Sequence, residues 1–115
     1  MDKILAMPFA KIYGLLIAKA LKKGRTTDEV YEVTSWLLGY TISNINQALD
    51  NPTLTYGEFA TNTPNLNHNA YLITGKICNV KVENISDPIE QRVRYLDKLI
   101  DELAKGKPLT KTLRK

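Results

Sequence analysis

The sequence predicts an all-α protein of about five helices, with at most a short extended segment near residues 80–83. Three observations support this fold class. Apolar side chains recur every three or four positions in several segments, which is the spacing of an amphipathic helix. Residues that start and end helices bound those segments. Only residues 80–83 alternate between apolar and polar, and the chain offers no second alternating run to pair with them.

The first two helices are predicted from their ends. Pro8 suits the first turn of a helix, and Gly24 follows its last apolar residue. Thr26 and Glu29 form a capping box, in which the hydroxyl and the carboxylate each satisfy a free backbone N–H group at the start of the second helix. Gly39 is placed to take the left-handed conformation that ends it.

Two shorter helices are predicted next. Thr41 or Ser43 caps the third helix, which ends before Pro52 because the residue preceding a proline avoids helical angles. Thr55 and Glu58 form a second capping box, which starts a helix of one or two turns.

A loop and two further elements complete the prediction. Asparagines and a proline in residues 62–69 indicate turns, and residues 70–77 are predicted to be helical. Asp87 can cap the last helix, Pro88 fits its first position, and Gly106 follows its end. The apolar stripe of this helix comprises Ile89, Val93, Leu96, Ile100 and Leu103.

The chain length of 115 residues is typical of one domain. Residues 1–107 are predicted to form a single helical domain, and residues 108–115 a basic C-terminal tail. The tail contains no acidic residue, and we expect it to be loosely held.

Cysteine and histidine usage indicates a cytoplasmic protein without a cofactor or metal site. Cys78 is the single cysteine and cannot form an internal disulfide. Since His68 is the single histidine, the chain also lacks the cluster of cysteines and histidines that a structural zinc site uses. The apolar neighbours of Cys78 predict a buried, inert thiol. Asp2, Pro8 and Lys11 interrupt the apolar core that a secretion signal needs, and no apolar run is long enough to span a membrane.

Charge is partitioned along the chain. Residues 1–25 carry a net charge of +5, residues 26–75 carry −5, and residues 76–115 carry +4. The middle segment contains no lysine or arginine. On folding, the three segments either neutralise one another or leave a basic face for an anionic partner.

A basic face would make this a nucleic-acid-binding protein, which is one of two alternative functions. The helices on either side of Gly39 resemble a helix-turn-helix, although the second of them has no arginine or lysine to reach guanine or phosphate. The candidate anion or nucleic-acid contacts are Lys22, Lys23, Arg25, Lys107, Lys111, Arg114 and Lys115.

The second alternative is an enzyme with its site around the asparagine-rich loop, residues 62–71. Asn67, His68 and Asn69 form the candidate loop site, in which His68 could act as a general base. The simpler interpretation is structural. Asparagine side chains can bond the backbone two residues on and hold a turn, with Asn69 the best-placed cap for a following helix.

Five blocks of sequence, taken in order, resemble an uncharacterised bacterial family, domain of unknown function 2200. They are FAKIY at 9–13, KGRT at 23–26, WLLGY at 36–40, NAYLITG at 69–75 and RYLDKLIDELAKGK at 94–107. The resemblance implies a small cytosolic protein folded as an orthogonal helical bundle, and it brings no activity or site. Here His68 and Gly14 stand where the family usually has proline, and Asn79 where it has glycine. The last change predicts left-handed backbone angles at Asn79.

These observations predict a non-catalytic binding or interaction module. The sequence does not identify its partner: a protein, a nucleic acid and a second copy of the chain are the open alternatives, and no membrane association is expected.

Overall fold

The computed structural model describes residues 2–115. Within them lie seven α-helices and one two-stranded antiparallel sheet. The helices are α1 (Asp2–Leu5), α2 (Phe9–Lys22), α3 (Thr27–Leu38), α4 (Ile42–Leu49), α5 (Tyr56–Thr61), α6 (Pro88–Ala104) and α7 (Leu109–Thr112). The strands are β1 (Lys76–Ile77) and β2 (Val80–Lys81). The prediction of an all-α bundle is confirmed.

Helices α2 and α6 pack together at the centre of the bundle, and α3 and α5 pack against both. Aromatic rings fill the space between α2 and α5, where the ring centroids of Phe9 and Phe59 lie 4.0 Å apart. From α6, the predicted stripe supplies Val93, Leu96 and Ile100, all buried. Burial of such side chains is the main driving force of the fold.

Four of the predicted helix starts, those of α3, α4, α5 and α6, are confirmed. The capping box of α3 joins Thr26 and Glu29, and that of α5 joins Thr55 and Glu58. Thr41, rather than Ser43, caps α4. Asp87 caps α6 by accepting from the backbone N–H groups of Ile89 and Glu90. Each cap satisfies backbone donors that have no partner inside the helix.

The prediction of a helix over residues 70–77 is wrong. A single 3-10 turn, Ala70–Leu72, is followed by strand β1, which pairs with β2 in the register Lys76 to Lys81 and Ile77 to Val80. Gly75 separates the two elements with a φ of 107°, an angle that a helix excludes. Residues 80–83 therefore do have a partner strand, although β2 ends at Lys81 and a 3-10 turn, Val82–Asn84, follows.

The hairpin turn consists of Cys78 and Asn79, with φ angles of 51° and 65°. Two consecutive positive φ angles are what a two-residue hairpin turn of type I′ requires. The left-handed angle predicted for Asn79 is confirmed. The burial predicted for Cys78 is wrong, because the turn projects into solvent and leaves this cysteine exposed.

The expectation that residues 108–115 are loosely held is also wrong. Helix α7 packs against α6, and both Thr112 and Leu113 are buried. Arg114 then makes a two-pronged ion pair with Glu102 on α6. The basic charge of this segment is therefore used partly within the fold. None of the helices in residues 2–115 is both long enough and apolar enough to cross a membrane.

Candidate binding groove

The ion pairs show how the partitioned charge is used. Asp101 on α6 binds Lys19 at 3.1 Å and Lys105 at 2.9 Å. Among residues 2–115, Glu29 is the only acid of the 26–75 segment with an ion-pair partner, which is Arg25 at 2.6 Å. The negative charge of the middle segment is therefore largely left unpaired on the surface.

Part of that acidic segment lines an open groove of about 510 Å³. We call this surface the α3 groove. One side of α3 forms its floor, and the flanking residues come from the start of α4 and from the segment after α7. The lining residues are Asp28, Tyr31, Glu32, Ser35, Trp36, Ile42 and Leu113.

The periodicity of α3 explains why these side chains share one side. Val30, Val33 and Leu37 are fully buried and fix the inner face of the helix. Asp28 and Glu32 lie four residues apart, so they are neighbours on the opposite side, where both are exposed. The groove volume lies within the range of small-molecule and side-chain pockets.

Tyr31 is held in place within the groove. Its hydroxyl donates to Oδ1 of Asn46 on α4 at 3.0 Å. Its ring stacks on Tyr13 of α2, with centroids 6.1 Å apart and planes at 23°. The hydrogen bond of its hydroxyl and the stacking of its ring hold Tyr31 in one orientation.

Trp36 is supported from behind by the asparagine-rich loop. The side-chain amide of Asn67 donates to the carbonyl oxygen of Trp36 at 3.1 Å. The backbone N–H of Asn67 donates to the oxygen of Leu37 at 2.8 Å, and that of Asn65 to Leu38 at 3.1 Å. The last carbonyls of a helix have no partner inside it. The loop therefore closes the C-terminal end of α3.

Gly39 allows this loop to approach so closely. Its φ is 78°, a conformation that favours glycine. A Cβ atom at this position would also lie 2.9 Å from the carbonyl oxygen of Asn65. Two independent restrictions, backbone angle and space, thus apply to one residue.

Leu113 flanks the groove and is 9% exposed. The next residue, Arg114, holds this wall by bonding Glu102 at 2.5 and 2.8 Å. Asn69 adds a second tie, since its amide donates to the carbonyl oxygen of Arg114 at 3.1 Å. Burial would raise the pKa of Glu102, but the hydrogen bonds and positive charge of Arg114, aided by Lys107, hold that pKa below its usual value.

The candidate loop site therefore has a structural role at two of its three positions. Asn67 and Asn69 direct their amides to the backbone of α3 and of the C-terminal segment. His68 between them is exposed. The expectation that Asn69 caps the following helix is wrong, because its side chain makes no cap bond. The turn is held instead by Asn67, whose Oδ1 accepts from the backbone N–H of Asn69 at 2.8 Å.

The structure distributes the seven candidate cationic contacts among several places. Lys107 and Arg114 meet at Glu102, and Arg25 is paired with Glu29. The four others are exposed lysines, two at the end of α2 and two in the C-terminal segment. They are Lys22, Lys23, Lys111 and Lys115.

A partly buried carboxyl group, that of Asp97, lies on α6 away from the groove lining. Burial raises the pKa of Asp97 to about 6, although Arg94 at 3.5 Å and the charge of Lys19 act against the rise. The hydroxyl of Tyr56 is buried, and it has no hydrogen-bond partner among residues 2–115. Across the same residues, no group of three or more histidine, cysteine, aspartate or glutamate side chains is arranged to hold a metal ion.

Sequence reasoning missed the groove. Helical spacing alone does not show that Trp36 is only partly buried. Leu113 could not be connected with α3 because the two are far apart in the chain. One signal was available, namely the absence of lysine and arginine from residues 26–75.

The fold and groove define a small helical bundle with a shaped surface depression. A sequence model of the family described as "Uncharacterized protein conserved in bacteria (DUF2200)" matches residues 3–114, so the chain belongs to this family. The chain is also similar to the structure described as "Crystal structure of uncharacterized protein SP1917", with 45% identity and a TM-score of 0.94. That match covers 98% of this chain and 92% of the other. No curated protein matches this chain.

Proposed function

We propose that this protein is a non-catalytic interaction module that binds a partner protein in the α3 groove. The observation that supports this most is a groove with two partly exposed aromatic side chains, Tyr31 and Trp36, beside the exposed Ile42. Tryptophan and tyrosine are the residues that most often dominate binding energy at protein interfaces.

Preorganisation supports the same proposal. Tyr31 is bonded to Asn46, and the backbone of Trp36 is bonded to Asn67. A partner would therefore bind without first ordering these elements, and the entropic cost of binding would be smaller.

The enzyme alternative receives less support from the loop at residues 62–71. Asn67 and Asn69 use their amides to hold the α3 groove, so they are not free to bind a substrate. We propose a cytoplasmic location, which suits the single exposed thiol of Cys78.

The nucleic-acid alternative is weakened by the ion pairs. Arg25 and Arg114 donate to Glu29 and Glu102, so releasing them for phosphate would leave those carboxylates unpaired. The groove itself carries carboxylates, which repel phosphate.

Site-specific photo-crosslinking in the native cell tests the proposal. A photoreactive phenylalanine analogue replaces Ile42 in the groove or Val80 in the hairpin; these side chains are 45% and 39% exposed, which makes them a matched pair. We expect a defined protein adduct at position 42, absent at position 80 and lost when Trp36→Ala is added. Equal adducts at both positions, or none at position 42, would count against the groove as an interface.

A further inference from the structure

We infer that the α3 groove binds a basic peptide segment, with a lysine or arginine side chain lying between Trp36 and the carboxylates of Asp28 and Glu32. This inference rests on the proposed function and adds the chemistry of the partner. The observations that support it are the two carboxylates of the groove and its apolar and aromatic lining.

The salt bridges of the described part of the chain leave both groove carboxylates without a cationic partner. Asp28 and Glu32 form no ion pair within residues 2–115. The basic residue that precedes α3, Arg25, is bonded to Glu29, and Arg114 beside the Leu113 wall is bonded to Glu102. Neither carboxylate of the groove is therefore paired with an arginine or lysine among residues 2–115.

Helix stability accounts for only one of these acids. Asp28 lies in the first turn of α3, where the helix dipole favours negative charge. Glu32 lies one turn further on, four residues after Asp28, and like charges at that spacing repel. A cationic side chain bound between them would relieve the repulsion.

The lining suits the two parts of a lysine or arginine side chain. Ile42 and Leu113 offer apolar surface for its methylene stem, and the partly exposed ring of Trp36 can attract its charge. A purely apolar partner would cover the carboxylates without pairing them, at a large cost in solvation energy. An acidic partner would be repelled.

Fluorescence provides a direct test, since Trp36 is the only tryptophan in the chain. The probe is a capped peptide of alternating arginine and alanine, compared with peptides that carry glutamine or glutamate in place of arginine. We expect a saturable change in Trp36 emission with the arginine peptide alone. Its affinity should weaken as salt rises from low to physiological concentration, because exposed charges are screened.

Two charge variants make the test specific to the groove. Asp28→Asn combined with Glu32→Gln should weaken binding of the arginine peptide about tenfold, as expected for two exposed carboxylates. Asp50→Asn is the matched control, since Asp50 is an exposed acid of the same segment outside the groove lining, and it should leave the affinity unchanged. Circular dichroism checks that each variant is folded.

Each contrary outcome has a definite meaning. Equal binding of the glutamine peptide, or no loss in the double variant, would overturn the basic-segment inference while leaving the groove a binding surface. The absence of any peptide response would also overturn it, and crosslinking at position 42 would then decide separately whether the groove is an interface. Trp36 emission that varies with protein concentration alone would identify a second copy of the chain as the occupant.

Discussion

The side-chain amide of Asn67 donates to the backbone oxygen of Trp36 at 3.1 Å, across 31 residues of sequence. This bond joins the asparagine-rich loop to the floor of the α3 groove. The loop that the sequence offered as a candidate catalytic site thus supports a neighbouring surface.

Asn67→Ala should lower the free energy of unfolding by about 1–3 kcal/mol, because the Trp36 carbonyl loses its donor and the turn at Asn69 loses its acceptor. The emission of Trp36 should shift as well. His68→Ala, at the exposed neighbouring position, is the control and should change neither quantity. Urea denaturation measures the first effect. An Asn67→Ala variant as stable as the parent would show that the loop is not needed to close α3.

Two glycine-to-alanine changes should have opposite effects on the free energy of unfolding. Gly39→Ala should destabilise the protein by about 1–3 kcal/mol, because φ is positive and the new Cβ would meet Asn65. Gly14→Ala should stabilise it by about 0.5–1 kcal/mol, because Gly14 lies inside α2 and, apart from the adjoining backbone of that helix, no atom lies within 4 Å of the added Cβ. Thermal denaturation of both variants tests the pair. A stabilising Gly39→Ala would contradict the close approach of the loop.

Glu102→Gln should cost about 2–3 kcal/mol at neutral pH, because it leaves the largely buried Arg114 guanidinium without its carboxylate. The pKa of Glu102 is lowered on folding, so its stabilisation is present above its ordinary value of 4.5 and is lost as pH falls. The stability gap between parent and variant should therefore narrow in acid. Lys107→Gln, which removes the longer and more exposed contact, should cost less than about 1 kcal/mol.

Asp97→Asn should gain stability relative to the parent as pH rises. The pKa of Asp97 is raised on folding from 3.8 to about 6, so across that interval the folded state holds a proton that the unfolded state has lost. Ionisation of Asp97 therefore lowers the free energy of unfolding of the parent as pH rises. Asparagine does not ionise, so the variant avoids this loss, which amounts to about 1–3 kcal/mol by pH 7.5. Denaturation at pH 4 and 7.5 measures the difference.

Asp101→Asn is the control for this pH dependence. Burial would raise the pKa of Asp101, but its hydrogen bonds to Lys105 and Lys19 lower it below the usual value. Its replacement should become more harmful, not less, as pH rises through the acid range. The same pH trend in both variants would contradict the assignment of Asp97.

Leu96→Ala should destabilise the protein by about 2–5 kcal/mol, since Leu96 is 2% exposed in the α6 stripe. Leu15→Ala on α2 is the matched control because that side chain is 61% exposed, and it should have little effect. A denaturation midpoint for Leu96→Ala equal to that of the parent would contradict the packing of α6.

What the sequence predicted well depends on interactions within a few residues. The capping boxes at Thr26 and Thr55 need only a partner three positions on, and the stripe of α6 needs only helical spacing. Such patterns are local, so they survive without knowledge of the tertiary structure.

The remaining features depend on contacts or angles that local patterns do not encode. Strands of two residues are too short to show alternation, and the positive φ of Cys78 has no sequence signal of its own. The pairing of Arg114 with Glu102 and the wall formed by Leu113 depend on how α7 packs on α6. These distant contacts also explain why the α3 groove was not predicted.

The hydrogen bonds that Asn67 and Asn69 make to the elements of the α3 groove have a consequence for folding kinetics. Asn67 meets Trp36 across 31 residues, and Asn69 meets Arg114 across 45, whereas Glu102 and Arg114 are only 12 apart. Closing long loops costs more chain entropy than closing short ones. The α6–α7 pair is therefore expected to form early and the groove late. Pulsed amide hydrogen exchange during refolding should find the backbone N–H groups of Asn65 and Asn67, which bond the end of α3, protected later than those of α6 and α7.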